Sequence, residues 1–153
     1  MNRVQSEYEK KLKIKQKQQA AFRRFIRGQA TPVRIREYIG MNWREVKILL
    51  EARMQESMNW NNYGQHWVVD HVAPFWIFDL HNEADLKLLW HPDNLLPLIW
   101  KDNNHKQGDL RFSILFLSQK SGYSYVVEQL IERLEREVAV QDKYLKKLKN
   151  PAV

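Results

Sequence analysis

The fold is decided by three stretches: VDHVAP at residues 69–74, DNLLPL at residues 93–98 and KDNNHKQGD at residues 101–109. The first ends a β-branched and aromatic run, residues 66–70, which is typical of a short β-strand. The second begins another apolar run, residues 95–100, and predicts a second strand, in which Pro97 favours an edge or a bulge. A short helix or turn should start at Asp102.

This order of strand, long connection, strand and helix brings Asp70, His71, Asn94 and Asn103 into one small site. Successive residues of a strand point to opposite faces, so Asp70 and His71 should approach a shared ligand from different directions. An imidazole with an ordinary pKa near 6.5 is neutral often enough at pH 7 to accept a proton from water. Carboxylate and amide oxygens are hard ligands that suit Mg²⁺ or Mn²⁺.

The three stretches resemble the HNH endonuclease family, in particular its small phage-type members. The family pattern runs Asp-His, two residues and Pro, then Asn-Leu-x-Pro-Leu, then Lys-x-Asn-x-x-Lys-Gly-Asp. Asp70-His71 with Pro74 matches the first part, residues 94–98 match the second, and Asn103 falls where the family has its last metal ligand. Two departures are that Leu96 is often Gln in such sequences and that one extra residue precedes Gly108. The second departure leaves Asn104 and His105 as rival ligands.

The resemblance implies an α+β protein with a ββα-metal (His-Me finger) core and flanking N- and C-terminal helices. Residues 1–40 would be a basic helical arm, 41–110 the nuclease core and 111–153 a C-terminal amphipathic helix. The implied activity is divalent-metal-dependent hydrolysis of phosphodiester bonds in double-stranded DNA, leaving 5′-phosphate and 3′-hydroxyl ends.

The resemblance also assigns roles to the motif residues. His71 would be the general base, and Asp70 with Asn103 would hold one Mg²⁺ or Mn²⁺. Asn94 would tie the connecting loop and help to orient the base. An alternative from another class is a catalytically inactive protein on the same scaffold that binds DNA or a partner protein. For the enzyme, activation by a partner protein is left open.

The charge is concentrated in the first 40 residues, where eleven Lys and Arg stand against three Glu, although the whole chain carries only +7. A helix predicted from residue 6 to residue 27 could follow a phosphate backbone, or it could be a solvated helix packed on one side. The candidates for nucleic-acid contact are Lys10, Lys13, Lys17, Arg23, Arg24, Arg27, Lys101 and Lys106.

The remaining features bound the class of protein. The chain has no cysteine, which excludes disulfides and thiolate zinc sites. It has no secretory signal and no apolar run near 18 residues, so no membrane partner is expected and an intracellular location follows by default, the host cytoplasm if the protein is phage-encoded. Heptad spacing in a helix predicted over residues 123–149 allows a coiled-coil homodimer, while packing against the body of the protein explains it equally well.

Overall fold

The protein is a mainly helical α+β structure that contains a two-stranded antiparallel sheet, as a computed structural model describes it over residues 3–31, 34–101, 109–119 and 124–150. For residues 3–5 only the backbone is described. The helices and strands follow the order α1 (Arg3–Ile26), α2 (Ile35–Ile39), α3 (Trp43–Glu51), β1 (Trp67–His71), α4 (Glu83–Leu89), β2 (Leu95–Ile99), α5 (Leu110–Ser118) and α6 (Tyr125–Lys149). Short 3₁₀ turns lie at Trp60–Asn62, Phe75–Ile77 and Pro92–Asn94.

The helix starts follow the local capping chemistry of the sequence. The side chain of Asn42 accepts hydrogen bonds from the backbone at the start of α3, and the Glu45 carboxylate accepts one from the Asn42 N–H, which completes a capping box. The Asn82 side chain caps α4 by accepting a hydrogen bond from the Asp85 N–H. Helix α5 was not expected: it is a separate shorter helix that Asp109 caps, lying ahead of the long C-terminal helix.

The core forms where α1, α3, the sheet and α6 meet. Trp67 and Trp90 are almost completely buried, as the cluster of tryptophans in the middle of the sequence suggests. Helix α1 also contributes: Phe22, Phe25 and Ile26 are buried. At its end Gly28 has a φ of +71°, and a Cβ there would come within 3.0 Å of the Trp43 indole, so glycine is required for two reasons.

The apolar heptad positions of helix α6 pack against the body of the protein in the first part of the helix and are exposed near its end. Val127 and Leu134 are buried against the body, whereas Leu145 and Leu148 near its end are exposed. Packing within the chain therefore explains the apolar heptad positions at the start of α6. Dimerisation through the exposed positions near its end stays a prediction. In the part of the chain that is described, no helix has the length and apolarity needed to span a bilayer.

A partly buried ion pair fastens α6 to α4. Both carboxylate oxygens of Asp85 accept hydrogen bonds from the Arg133 guanidinium at 2.8 Å, and one of them also accepts the Asp79 N–H at 2.7 Å. The guanidinium, followed by the backbone donor, holds the pKa of Asp85 below its usual value despite the opposing effect of burial. Since the folded pKa is depressed, this contribution to stability is complete above the ordinary pKa near 4 and disappears as the pH falls through the folded value.

We expect Arg133→Met to lower the free energy of unfolding by about 2 kcal/mol at pH 7, because it leaves the buried Asp85 carboxylate without its main donor. The deficit relative to the wild type should shrink as the pH falls from about 4 towards 2, where Asp85 becomes protonated. Urea unfolding at a series of pH values measures both effects. Arg136→Met is the matched control because Arg136 pairs with Glu132 on the exposed side of the same helix. A deficit independent of pH, or one equal to that of the control, would contradict this account.

Candidate active site

The hairpin of β1 and β2 carries the two motif residues at its end. In the antiparallel register Asp70 lies opposite Leu96 and His71 lies opposite Leu95. Burial alternates along β1, so Asp70 is half-buried while His71 is only 3% exposed. The two side chains therefore occupy opposite faces, as the strand prediction required.

Asn94 ties the segment after His71 to the start of β2. Its side chain is completely buried, with Oδ1 accepting the Ala73 N–H at 2.7 Å. Its amide Nδ2 donates to the carbonyls of Ala73 at 3.2 Å and Leu89 at 2.9 Å. The Asn94 backbone carbonyl also accepts the Val72 N–H at 2.9 Å. Asn94 thus fixes the two residues that follow the imidazole, which makes it a positioning residue in this fold.

A second buried side chain supports the same segment from α5. Ser113 is 2% exposed, and its hydroxyl donates to the Val72 carbonyl at 2.6 Å. The sequence analysis did not predict this contact. The signal that could have indicated it is the serine at position 113 among apolar residues of α5. The backbone after His71 is consequently held from both directions.

The imidazole of His71 packs edge-on against the Trp90 indole, with ring centroids 4.6 Å apart and planes at 86°. The indole N–H donates to Gln18 Oε1 at 3.0 Å, and the Phe22 ring stacks on Trp90 at 5.5 Å. Since Gln18 and Phe22 belong to α1, the basic helix is packed directly behind the motif. Nothing in the sequence indicates this connection between α1 and the motif.

Asp70 faces a cleft of about 320 Å³ between α1 and the hairpin. Its described lining contains one carboxylate and two cations, Lys15 and Arg23. Aromatic and apolar side chains make up most of the remainder. The lining residues are Lys15, Gln19, Phe22, Arg23, Tyr63, Gly64, Val68, Val69, Asp70, Trp90 and Trp100. A volume of this size is at the lower end of the range for small-ligand sites.

Burial alters the titration of two groups in the cleft. It lowers the pKa of Lys15, against the opposing effect of the Asp70 carboxylate, which favours the charged ammonium. It raises the pKa of Tyr63 to about 12, although Arg23 and Arg27 act in the other direction. The Tyr63 phenol is therefore neutral at physiological pH and can donate a hydrogen bond.

The other predicted contacts divide into three groups. The exposed side chains are those of Lys10, Lys13, Lys17, Arg23 and Arg24 on α1 and of Arg27 directly after it, and Arg23 is the one member of this predicted set that lines the cleft. Lys101 is exposed where the backbone becomes helical after β2. Asn103, Asn104, His105 and Lys106 lie outside the described residues, so the second predicted metal ligand and its rivals have no structural description.

The comparisons with known proteins give relatives without a described activity. The chain is 33% identical over 70 residues to an uncharacterized protein of Acanthamoeba polyphaga mimivirus. The aligned region covers 46% of this chain and 31% of that protein. It is 36% identical over 63 residues to a second uncharacterized protein of the same virus, covering 41% and 28% respectively. The chain thus spans less than a third of the length of either relative. No protein-family model and no solved structure matches it.

Proposed function

We propose that this protein is a metal-dependent endonuclease of the HNH type, with a ββα-metal core, that hydrolyses phosphodiester bonds of double-stranded DNA. The observation that carries the proposal is the hairpin, which presents the Asp70 carboxylate to a cleft containing two cations and holds the backbone after His71 through Asn94. A polyanion is the ligand expected for a cleft beside a helix whose described side chains include five exposed cations.

His71 acts in this proposal as the general base that takes a proton from the attacking water. Asn94 keeps the ring in position by immobilising Val72 and Ala73, and Trp90 limits its rotation from the side. Asp70 would supply the negative charge that holds a divalent metal ion. The assignment of these roles rests on the motif resemblance, and the contacts of Asn94 are consistent with it.

Asp70 supplies the one carboxylate in the described lining of the cleft. Among the described residues there is no group of three or more His, Cys, Asp or Glu side chains that could hold a metal ion. Mg²⁺ does not require such a group, because it commonly keeps several waters and binds one or two carboxylates together with substrate oxygens. Asp70 and Asn103 would hold the ion, which when bound supplies positive charge for the phosphorane and the departing 3′ oxygen.

A second candidate is a DNA-binding or partner-binding protein that lacks activity on the same scaffold. The burial of His71 favours it, because a general base must be reached by water and the imidazole is only 3% exposed. The cationic cleft and the basic face of α1 would serve this function unchanged. In its DNA-binding form, the second candidate differs from the first only in that it does not cleave DNA.

Cleavage of supercoiled plasmid tests the proposal. The purified protein should nick the plasmid in the presence of Mg²⁺ or Mn²⁺ and stop when a chelator is added. Asp70→Asn should reduce the rate by about a hundredfold or more, since losing a charged metal ligand removes several kcal/mol of transition-state stabilisation. Asp142→Asn is the matched control, because Asp142 forms a surface pair with Arg111 on α5.

Binding of DNA without cleavage would support the second candidate and exclude the nuclease. That result requires a retarded DNA band and no nicking with either metal. Equal nicking by wild type and Asp70→Asn would exclude Asp70 as the metal ligand and remove the basis of the nuclease proposal.

A further inference from the structure

Helix α1 is fastened to the segment that follows the Asp-His motif. The Lys11 ammonium donates to the carbonyls of Trp76 at 3.2 Å and Phe78 at 3.1 Å, which lie at the 3₁₀ turn after β1. Further along the helix, the Gln18 side chain accepts from the Trp90 indole. These contacts, together with the buried aromatic residues of α1, make the helix one wall of the cleft with a fixed position relative to Asp70.

Lys15 lies one turn after Lys11 on this wall. Its Nζ is 4.4 Å from the centroid of the Phe75 ring, so a cation–π contact directs the ammonium towards the motif. The side chain is partly buried and shares the cleft with Asp70, whose carboxylate interacts electrostatically with it. Lys15 therefore differs from the exposed lysines of α1, which project into solvent.

The charges of the cleft explain what this ammonium can do. In the metal-free protein, a phosphodiester that enters beside Asp70 meets a carboxylate, and the two negative groups repel each other. A lysine already held there offsets this repulsion and can donate to a non-bridging phosphate oxygen. Because its position is set by the contacts of α1, little reorganisation is needed when the negative charge on phosphorus increases.

We propose that Lys15 is a further phosphate-binding residue of the site, contacting the phosphodiester that lies beside Asp70. Arg23 follows two turns later on the same side of the cleft, about 12 Å further along the helix axis, and extends the cationic wall beyond one phosphate. This inference rests on the proposed function for its cleavage component, but its binding component does not depend on turnover.

The experiment compares the wild type with Lys15→Met, Lys15→Arg and Lys143→Met. Methionine keeps an unbranched apolar stem over Phe75 while removing the charge, arginine keeps the charge, and Lys143 is an exposed lysine of α6 outside the cleft lining. Binding of a fluorescent 20-base-pair duplex is measured in EDTA over a range of salt concentrations, and single-turnover cleavage is measured with Mg²⁺ or Mn²⁺. Thermal unfolding of each variant monitors the packing of α1.

For Lys15→Met we expect the slope of log binding constant against log salt to become shallower by about 0.9, as for the loss of one phosphate contact. Single-turnover cleavage should fall by about a hundredfold, the effect of removing one donor to developing charge. Lys15→Arg should recover most of both quantities. Lys143→Met should match the wild type.

The outcomes separate the two proposals. If the wild type cleaves DNA and Lys15→Met binds and cleaves equally well, the role of Lys15 is wrong and the nuclease proposal stands. If the wild type does not cleave, the nuclease proposal fails and the salt slope alone decides whether Lys15 contacts phosphate. If Lys15→Met unfolds at a lower temperature than the wild type, Lys15→Arg decides. A DNA-binding defect in a stable arginine variant would overturn the proposal.

Discussion

Replacing His71 by alanine is expected to lower the rate of DNA cleavage by about a thousandfold while the affinity for DNA changes little, since general-base catalysis contributes about 10² to 10⁴. The side chain lies on the buried face of β1, whereas the cations that would provide long-range attraction for DNA are exposed. Its loss therefore removes proton transfer and leaves the charge of the cleft unchanged. Single-turnover cleavage and band-shift titration measure the two quantities separately.

The interpretation of this variant requires a measure of folding, because the imidazole also packs against Trp90. His71→Gln keeps most of the side-chain volume and should be as inactive as the alanine variant. His81→Ala is the matched control, since His81 is exposed ahead of α4 and does not line the cleft. Cleavage by both His71 variants at the wild-type rate would exclude His71 as the base.

Replacing Asn94 by alanine is expected to reduce the free energy of unfolding by about 3 to 5 kcal/mol, because each buried polar group left unsatisfied costs about 1–3 kcal/mol. Three such groups would lose their partner: the N–H and carbonyl of Ala73 and the carbonyl of Leu89. The site is completely buried, so water cannot easily replace the amide. Urea denaturation monitored by tryptophan fluorescence gives the value.

Two further variants make this prediction specific. Asn94→Asp keeps the acceptor for the Ala73 N–H but faces two carbonyls without a donor, so it should be destabilised to a similar extent. Asn82→Ala removes an N-cap that is exposed and should cost only about 1 kcal/mol. A loss for Asn94→Ala no larger than that for Asn82→Ala would show that the buried amide does not hold the motif.

Much of the secondary structure was predictable because its causes are local. The starts of α3 and α4 follow local signals of this kind, the capping box of Asn42 and Glu45 and the N-cap at Asn82. Both strands were placed to within one residue at each end from their apolar composition. Helix α5 was missed, because its apolar residues were assigned to a single C-terminal helix.

The sequence by itself determined that Asp70 and His71 end a strand and lie on opposite faces, and that α1 is long and basic. These properties follow from the two-residue period of a strand and from composition, which depend on neighbours in the chain. Only the tertiary structure decided that Lys15 enters the cleft, that Gln18 binds the Trp90 indole and that the imidazole is buried. The flank of an amphipathic helix that meets a given sheet face is set by packing between elements far apart in sequence, as the 72 residues between Gln18 and Trp90 illustrate.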